Sequence, residues 1–161
     1  MNRVTVRYAR AVDVHQIATL VNGYADEGLM LPRTPEEVAL ALDDYIVVAD
    51  ARGRVLACGA LREYSPSAAE ISSIAVVPDA QGRGLGALVV REVEALARRR
   101  GFHDVFLITV GPRFFARLGY TVVDRALYPE KICPHDVSLA HCRTCTKLCM
   151  WRDLRGVEAA A

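Results

Sequence analysis

The sequence predicts an α/β (α+β) domain with a central mixed, mostly antiparallel sheet flanked by helices. Three observations carry that expectation. The chain has 161 residues and is 52% apolar, enough for one full core. Short apolar runs of period two, separated by turn signals, place antiparallel hairpins early. One strand–helix–strand unit then spans roughly residues 69–110.

Taken in order, Val4, Val6 and Tyr8 alternate with polar residues and predict a strand. Asp13 is placed to cap a helix whose one face carries Val14, Ile17, Ala18, Val21, Tyr24 and Ala25, and Gly28 is its stop. Thr34-Pro35-Glu36-Glu37 has the form of a capping box and starts a short helix through about Leu42. Tyr45–Asp50 and Val55–Leu61 read as strands joined by a turn at 51–54, and a third strand covers roughly Ala69–Val77. Pro78 ends it, since proline cannot extend a ladder. A long helix follows from about Gly84 to Arg100, with Leu85, Leu88, Val89, Val93, Leu96 and Ala97 as its buried stripe. Val105–Val110 is a continuous apolar strand, Phe114–Leu118 a short helix and Tyr120–Asp124 a last strand. Composition shifts after Tyr128, so residues 1–128 read as the domain and 129–161 as a cysteine-rich C-terminal appendage.

Bulk properties exclude several functions. A net charge of +1 argues against a general nucleic-acid or membrane-surface binder. No apolar run reaches the roughly 18 residues that span a bilayer. Residues 1–10 lack the apolar core of a signal peptide, so a cytoplasmic location is expected. In that reducing compartment the five cysteines favour thiols or a metal site over disulfides.

The chemistry concentrates between Ile71 and Ala87. A strand ends, a short turn follows, and a helix begins within three glycines, Gly82, Gly84 and Gly86. Unpaired amides of the turn and first helical turn, together with the helix dipole, make an anion site that fits a pyrophosphate. Arg83 adds a charge-assisted donor. A plain strand–helix connection would carry the same glycines. The stretch Gly82–Ala87 also formally matches the dinucleotide fingerprint, but residues 78–81 separate it from Val77, and no acidic residue ends the next strand. A Walker loop is excluded because no Gly-Lys-Ser/Thr follows.

The whole pattern Val76-Val77-Pro78-Asp79-Ala80-Gln81-Gly82-Arg83-Gly84-Leu85-Gly86 resembles motif A of the GNAT acetyltransferases. Its Q/R-x-x-G-x-G/A core falls on Gln81, Gly84 and Gly86, and the element order over residues 4–124 is similar to that family's. The resemblance implies the GNAT fold, with strands splayed at the CoA site, and acetyl-CoA as cosubstrate. It implies that amides of Gln81, Gly82, Arg83, Gly84, Leu85, Gly86 and Ala87 hold the pyrophosphate, and that Ile74, Ala75 and Val76 bond the pantetheine arm. It also implies a small-molecule amine as acceptor, with a homodimer as the common habit.

Acetyl transfer needs a neutral amine, a polarised thioester and a proton for the leaving thiolate. Glu70, at the start of the same strand, is the candidate base; the alternative is a solvated strand-end carboxylate. Many family members place an acidic tyrosine four residues before the glycine of a G-F/Y pair. Here the pair is Gly119-Tyr120 and that position is Phe115, which cannot donate a proton and is expected to wall the CoA pocket.

Several pieces resemble the acetyltransferase part of N-acetylglutamate synthases, especially the short stand-alone bacterial type. They include Leu20–Tyr24, Leu29–Arg33, Ala69–Ile71, Phe114–Tyr120 and Tyr128–Ile132. That resemblance implies L-glutamate as acceptor, within arginine biosynthesis. Arg33, Arg113 and Lys131 are candidates for holding its carboxylates, arginine in bidentate fashion and lysine as a point charge. Val110 and Gly111 depart from the polar pair some members carry there, which leaves open another amine: a polyamine, a drug or a protein N-terminus. A non-catalytic module that binds acetyl-CoA is a further alternative. In the tail, Cys133, Cys142, Cys145 and Cys149 could hold a structural zinc, although the long first gap does not match a standard double knuckle; free thiols and a disulfide stay open.

Overall fold

A computed structural model describes residues 3–129 and 147–156 of the chain. In it a sheet of seven strands runs in the order β1-β2-β3-β4-β5-β7-β6. The strands are β1 (Val4–Tyr8), β2 (Tyr45–Asp50), β3 (Val55–Glu63), β4 (Ala68–Val76), β5 (Asp104–Thr109), β6 (Thr121–Val123) and β7 (Leu148–Asp153). Every neighbouring pair is antiparallel except β4 with β5. That is the mixed sheet the pattern predicts. Its helices are α1 (Val14–Asp26), α2 (Pro35–Leu40), α3 (Leu85–Arg99) and α4 (Pro112–Arg117).

Local chemistry accounts for the helix ends. In α1, Leu29 N–H bonds the Tyr24 carbonyl at 3.1 Å and Gly28 N–H bonds Ala25 at 2.9 Å, with Gly28 at φ 73°. This is a Schellman stop, and glycine takes that φ without strain. The capping box of α2 forms as expected: Thr34 N–H donates to Glu37 Oε2 at 2.7 Å and Glu37 N–H donates to Thr34 Oγ1 at 3.1 Å. Asp13 behaves differently from expectation. Its buried carboxylate does not cap α1; it accepts from the Arg10 amide at 2.7 Å and from both Arg7 guanidinium nitrogens, the closer at 2.6 Å. A full charge inside the fold is stabilised best by an opposite charge, and Arg7 on β1 supplies it.

Two apolar layers sandwich the sheet. One face packs Val89, Val90, Val93 and Leu96 of α3 against Leu61, Ile71, Val105 and Leu107. The other packs Ile17, Val21 and Val38 from α1 and α2 against Val47, Cys58 and Ala75. Beyond α1, that second face carries a smaller cluster of Phe106, Tyr128 and Cys149, with the Phe106 and Tyr128 rings stacked at 3.6 Å.

Residues 148–153, which the sequence placed in a C-terminal appendage, form β7 between β5 and β6. A buried polar cluster locks that strand to α3: Arg152 Nη1 donates to Glu94 Oε1 at 2.9 Å, and the Tyr120 hydroxyl donates to the same oxygen at 2.7 Å. Lys131, Cys133, Cys142 and Cys145 lie outside the described residues. No described helix is long and apolar enough to cross a membrane.

Candidate active site

Strand β4 organises the site. Its parallel ladder with β5 covers only Ala68–Glu70 against Asp104–Phe106. Beyond that point β5 follows β7 as far as Thr109, while β4 from Ile71 to Val76 is paired on its β3 side alone. The two strands splay, leaving a slot edged by β4 backbone. Strand groups without a ladder partner need another acceptor or donor, and an extended amide-bearing arm is a natural one.

A bulge deepens this edge. Ala60 lies opposite Ser72 and Cys58 opposite Ala75, so Ser73 and Ile74 together face Gly59. Ser73 adopts φ 55°, a left-handed conformation unusual for a side-chain-bearing residue. Gly59 is what lets the bulge pack: a Cβ there would stand 2.5 Å from both Ile74 Cδ1 and Val89 Cγ1. The Cys58 thiol donates to the Ser73 carbonyl at 3.4 Å. Burial pushes that thiol up to about 12, so it stays a neutral donor.

At the far end of β4 the chain turns through 78–84 into α3. Gly82 and Gly84 take φ 74° and 78°, and a Cβ on either would meet nothing within 4 Å, so backbone conformation is what requires glycine there. Leu88 is the first residue to bond back into the helix, to Gly84 O at 3.1 Å, and the amides of 82–87 have no backbone acceptor. Residues 81–84 are exposed while Leu85 is buried, which pins the turn with its amides outward. Gln81 is tied down differently: its Nε2 donates to the Tyr24 hydroxyl at 2.6 Å, and that hydroxyl donates to the Val76 carbonyl at 2.5 Å. Tyr24 of α1 thus clamps the turn to the end of β4.

Gly86 has a third reason. A Cβ there would stand 3.2 Å from Phe114 Cζ, so its absence admits the Phe114 ring against the first turn of α3. Phe115, expected to wall the cofactor pocket, is buried in the core and packs edge-to-face on Tyr120 with ring centroids 5.8 Å apart. The half-exposed aromatic beside the turn is its neighbour Phe114.

Glu70 marks the point where β4 and β5 part. Its cross-strand neighbours are Arg62 on β3 and Phe106 on β5, so their side chains share one sheet face. On that face Cys149 is buried and its thiol is pushed up to about 11, by burial first, with Arg125 opposing and Glu70 adding to the rise.

Next to Glu70 on β4, a cavity of about 340 Å³ opens between the chain leading into α2 and the β3–β4 ribbon. Arg33, Glu37, Tyr45, Ala60, Arg62 and Ser72 help line it. Burial raises the Tyr45 phenol above its usual range, with Ser73 and Arg33 beside it opposing. Glu37 is held below the usual carboxylate range, chiefly by the Thr34 amide, with Arg33 and Arg62 contributing. Of the three basic residues singled out from sequence, Arg33 reaches this cavity and Arg113 does not; Arg113 is exposed in the first turn of α4. Sequence reasoning missed Arg62, Tyr45 and Ser72. Their grouping depends on a register that the bulge shifts, so no spacing rule could find it. Among the described residues no group of three or more His, Cys, Asp or Glu could hold a metal ion.

Comparisons with known proteins agree with the fold. A sequence model described as the Acetyltransferase (GNAT) family matches residues 13–120. An uncharacterized N-acetyltransferase from Chlorobaculum tepidum is 34% identical over 149 residues, covering 92% of this chain and 96% of its own. An amino-acid acetyltransferase from Mycobacterium tuberculosis is 34% identical over 124 residues, covering 76% of this chain and 71% of its own. Among solved structures, Rv2747 from Mycobacterium tuberculosis in complex with CoA and NLQ aligns at TM-score 0.77 and 28% identity, over 93% of this chain and 99% of that one. N-acetylglutamate synthase from Neisseria gonorrhoeae, complexed with coenzyme A and N-acetyl-glutamate, shares the fold at TM-score 0.78 and 22% identity, over 96% of this chain and 36% of that one.

Proposed function

Because the chain belongs to the GNAT acetyltransferase family and is an acetyl-CoA-dependent N-acetyltransferase, we propose that its acceptor is the amino group of a small amino acid, L-glutamate foremost, within arginine biosynthesis in the cytoplasm. The observation that carries this reading is the Arg33-bearing cavity beside Glu70. An acceptor with a carboxylate finds a guanidinium there, and its amine lies near the open edge of β4. The similarity to proteins named amino-acid acetyltransferase supports the same choice.

The proposed roles follow from position. Free amides of 82–87 bind the pyrophosphate of acetyl-CoA, with Arg83 adding charge. The Ile74–Val76 edge pairs with the pantetheine arm, and an amide of that strand polarises the thioester carbonyl. Glu70 takes a proton from the ammonium group so that the amine nitrogen carries a lone pair. The nitrogen attacks the thioester carbon, a C–N bond forms and the C–S bond breaks; the nitrogen gives up its surplus proton as the amide forms, and the departing thiolate takes up one proton, leaving neutral amide and CoA thiol. Phe115 cannot give that proton, and its side chain is buried.

Val110 and Gly111, in place of a polar pair, favour a different amine. Steady-state rates with acetyl-CoA across acidic, neutral and basic amino acids and a polyamine decide between the two. The glutamate reading expects the highest kcat/KM for an acidic amino acid. Turnover confined to other amines would refute it.

A further inference from the structure

The glycine turn is gripped at its two ends and little in between. Ala80 is buried on one side and Leu85 on the other, while residues 81–84 are exposed. A Cβ at Gly82 or Gly84 would meet nothing within 4 Å, so the fold does not press on the turn at either residue. The Arg54–Asp79 ion pair at its entry is exposed on both sides and holds weakly. Within 81–84, the side chain that bonds to another described residue is that of Gln81, whose Nε2 donates to the Tyr24 hydroxyl at 2.6 Å. The same hydroxyl donates to the Val76 carbonyl at 2.5 Å. Val76 is the last residue of β4, and the direction of its backbone groups is fixed by the ladder. Val77 N–H bonds Leu56 O on β3 at 2.9 Å, and Val76 stands opposite Ala57. Next to a bonded pair, an antiparallel strand turns its N–H and C=O the other way. Those of Val76 therefore face the side from which β5 has parted. One phenol thus meets the open edge of β4 and the exposed part of the turn together, using its hydrogen as donor and its oxygen as acceptor.

We infer that Tyr24 is a positioning residue for acetyl-CoA: its hydroxyl, through Gln81 and Val76, sets the separation between the turn that takes the pyrophosphate and the strand edge that takes the arm. The inference rests on those two proposed cofactor contacts and is independent of which amine is the acceptor. Pyrophosphate and arm belong to one molecule, so the groups that bind them must keep one spacing. Glycines at 82 and 84 give the turn the backbone conformation it needs and also the freedom to lose it. A tether at Gln81 restricts that freedom before the ligand arrives, which leaves less ordering to be done on binding. Gln81 then has two separable tasks, its backbone belonging to the turn and its side chain to the tether. Tyr24 itself is carried by α1, where its ring packs against the apolar layer with Leu20 and Met30. Its hydroxyl is therefore aimed by a helix seated in the core.

The test is a double-mutant cycle read by calorimetric affinity for CoA, which needs no acceptor. It uses the wild type, Tyr24→Phe, Gln81→Met and the double variant, each with its thermal midpoint. Phenylalanine keeps the ring in the apolar layer and loses both bonds; methionine keeps the length of the exposed Gln81 side chain and loses the donor. Each single variant should weaken CoA binding about 5- to 10-fold, the order of one or two hydrogen bonds. The double variant should bind within about twofold of the weaker single one, because both changes break the same link. With an amine that is turned over, KM for acetyl-CoA should rise by the same factor in Y24F while kcat stays within about twofold. Should Y24F fail to fold, Q81M still breaks the tether from the solvent side. CoA affinity within twofold of wild type in Y24F, with or without a lower thermal midpoint, would make the hydroxyl merely structural and overturn the inference. Losses that multiply in the double variant would overturn it too, since the residues would then act separately. A fall in kcat at unchanged KM would place Tyr24 in the chemistry instead.

Discussion

At one end of β4 the turn through Gly82 and Gly84 presents backbone amides contributed by one contiguous stretch. At the other end, beside Glu70, the cavity is walled by side chains from the α2 entry, β2, β3 and β4. The first region presents peptide groups that every sequence has, and needs side chains mainly to bend the chain. The second presents particular side chains brought together from Arg33 to Ser72. Amides at a helix N-terminus suit any pyrophosphate, whereas two guanidiniums and a hydroxyl suit a narrow class of acceptor.

Gly84→Val tests the contrast most severely. At φ 78° a β-branched residue is strained, and relieving the strain rotates the amides away. We expect kcat/KM for acetyl-CoA to fall about 10³-fold, the order seen when preorganised donors are lost. Calorimetry should show CoA affinity falling in step; unchanged affinity would remove the turn from the cofactor site. Next in size is Glu70→Gln. Loss of a general base should lower kcat about 10²-fold while KM for acetyl-CoA stays within about threefold. A matched fall in CoA affinity would instead assign Glu70 to the cofactor end of the strand. The smallest change belongs to Phe114→Ala, which removes a half-exposed ring from the Gly86 contact. KM for acetyl-CoA should rise about threefold with the acceptor KM unaltered. A larger shift in the acceptor KM would mean that the two regions are not separate.

The sequence marked the two regions unequally for the same reason. Val-x-Pro, Gln81, Gly84 and Gly86 sit within one short stretch, so strand end, turn and helix start could be read together. The capping box at Thr34 and the glycine stop at Gly28 were also legible, because each depends on neighbours within a single turn. Asp13 reads locally as a cap because its partner Arg7 belongs to another element. Phe114 and Phe115 are adjacent, and only packing against Gly86 on one side and Tyr120 on the other tells them apart.

By itself, then, the sequence determined the mixed sheet, most of its elements and the glycine turn, because hydrophobic period, caps and backbone freedom are properties of contiguous residues. Tertiary structure alone decided the rest. It inserted β7 between β5 and β6, splayed β4 from β5 after Glu70, and shifted the register at Gly59 so that Arg62 stands opposite Glu70. Such pairings join residues far apart in the chain, and the energy that selects them comes from packing and partner strands, which no local pattern encodes.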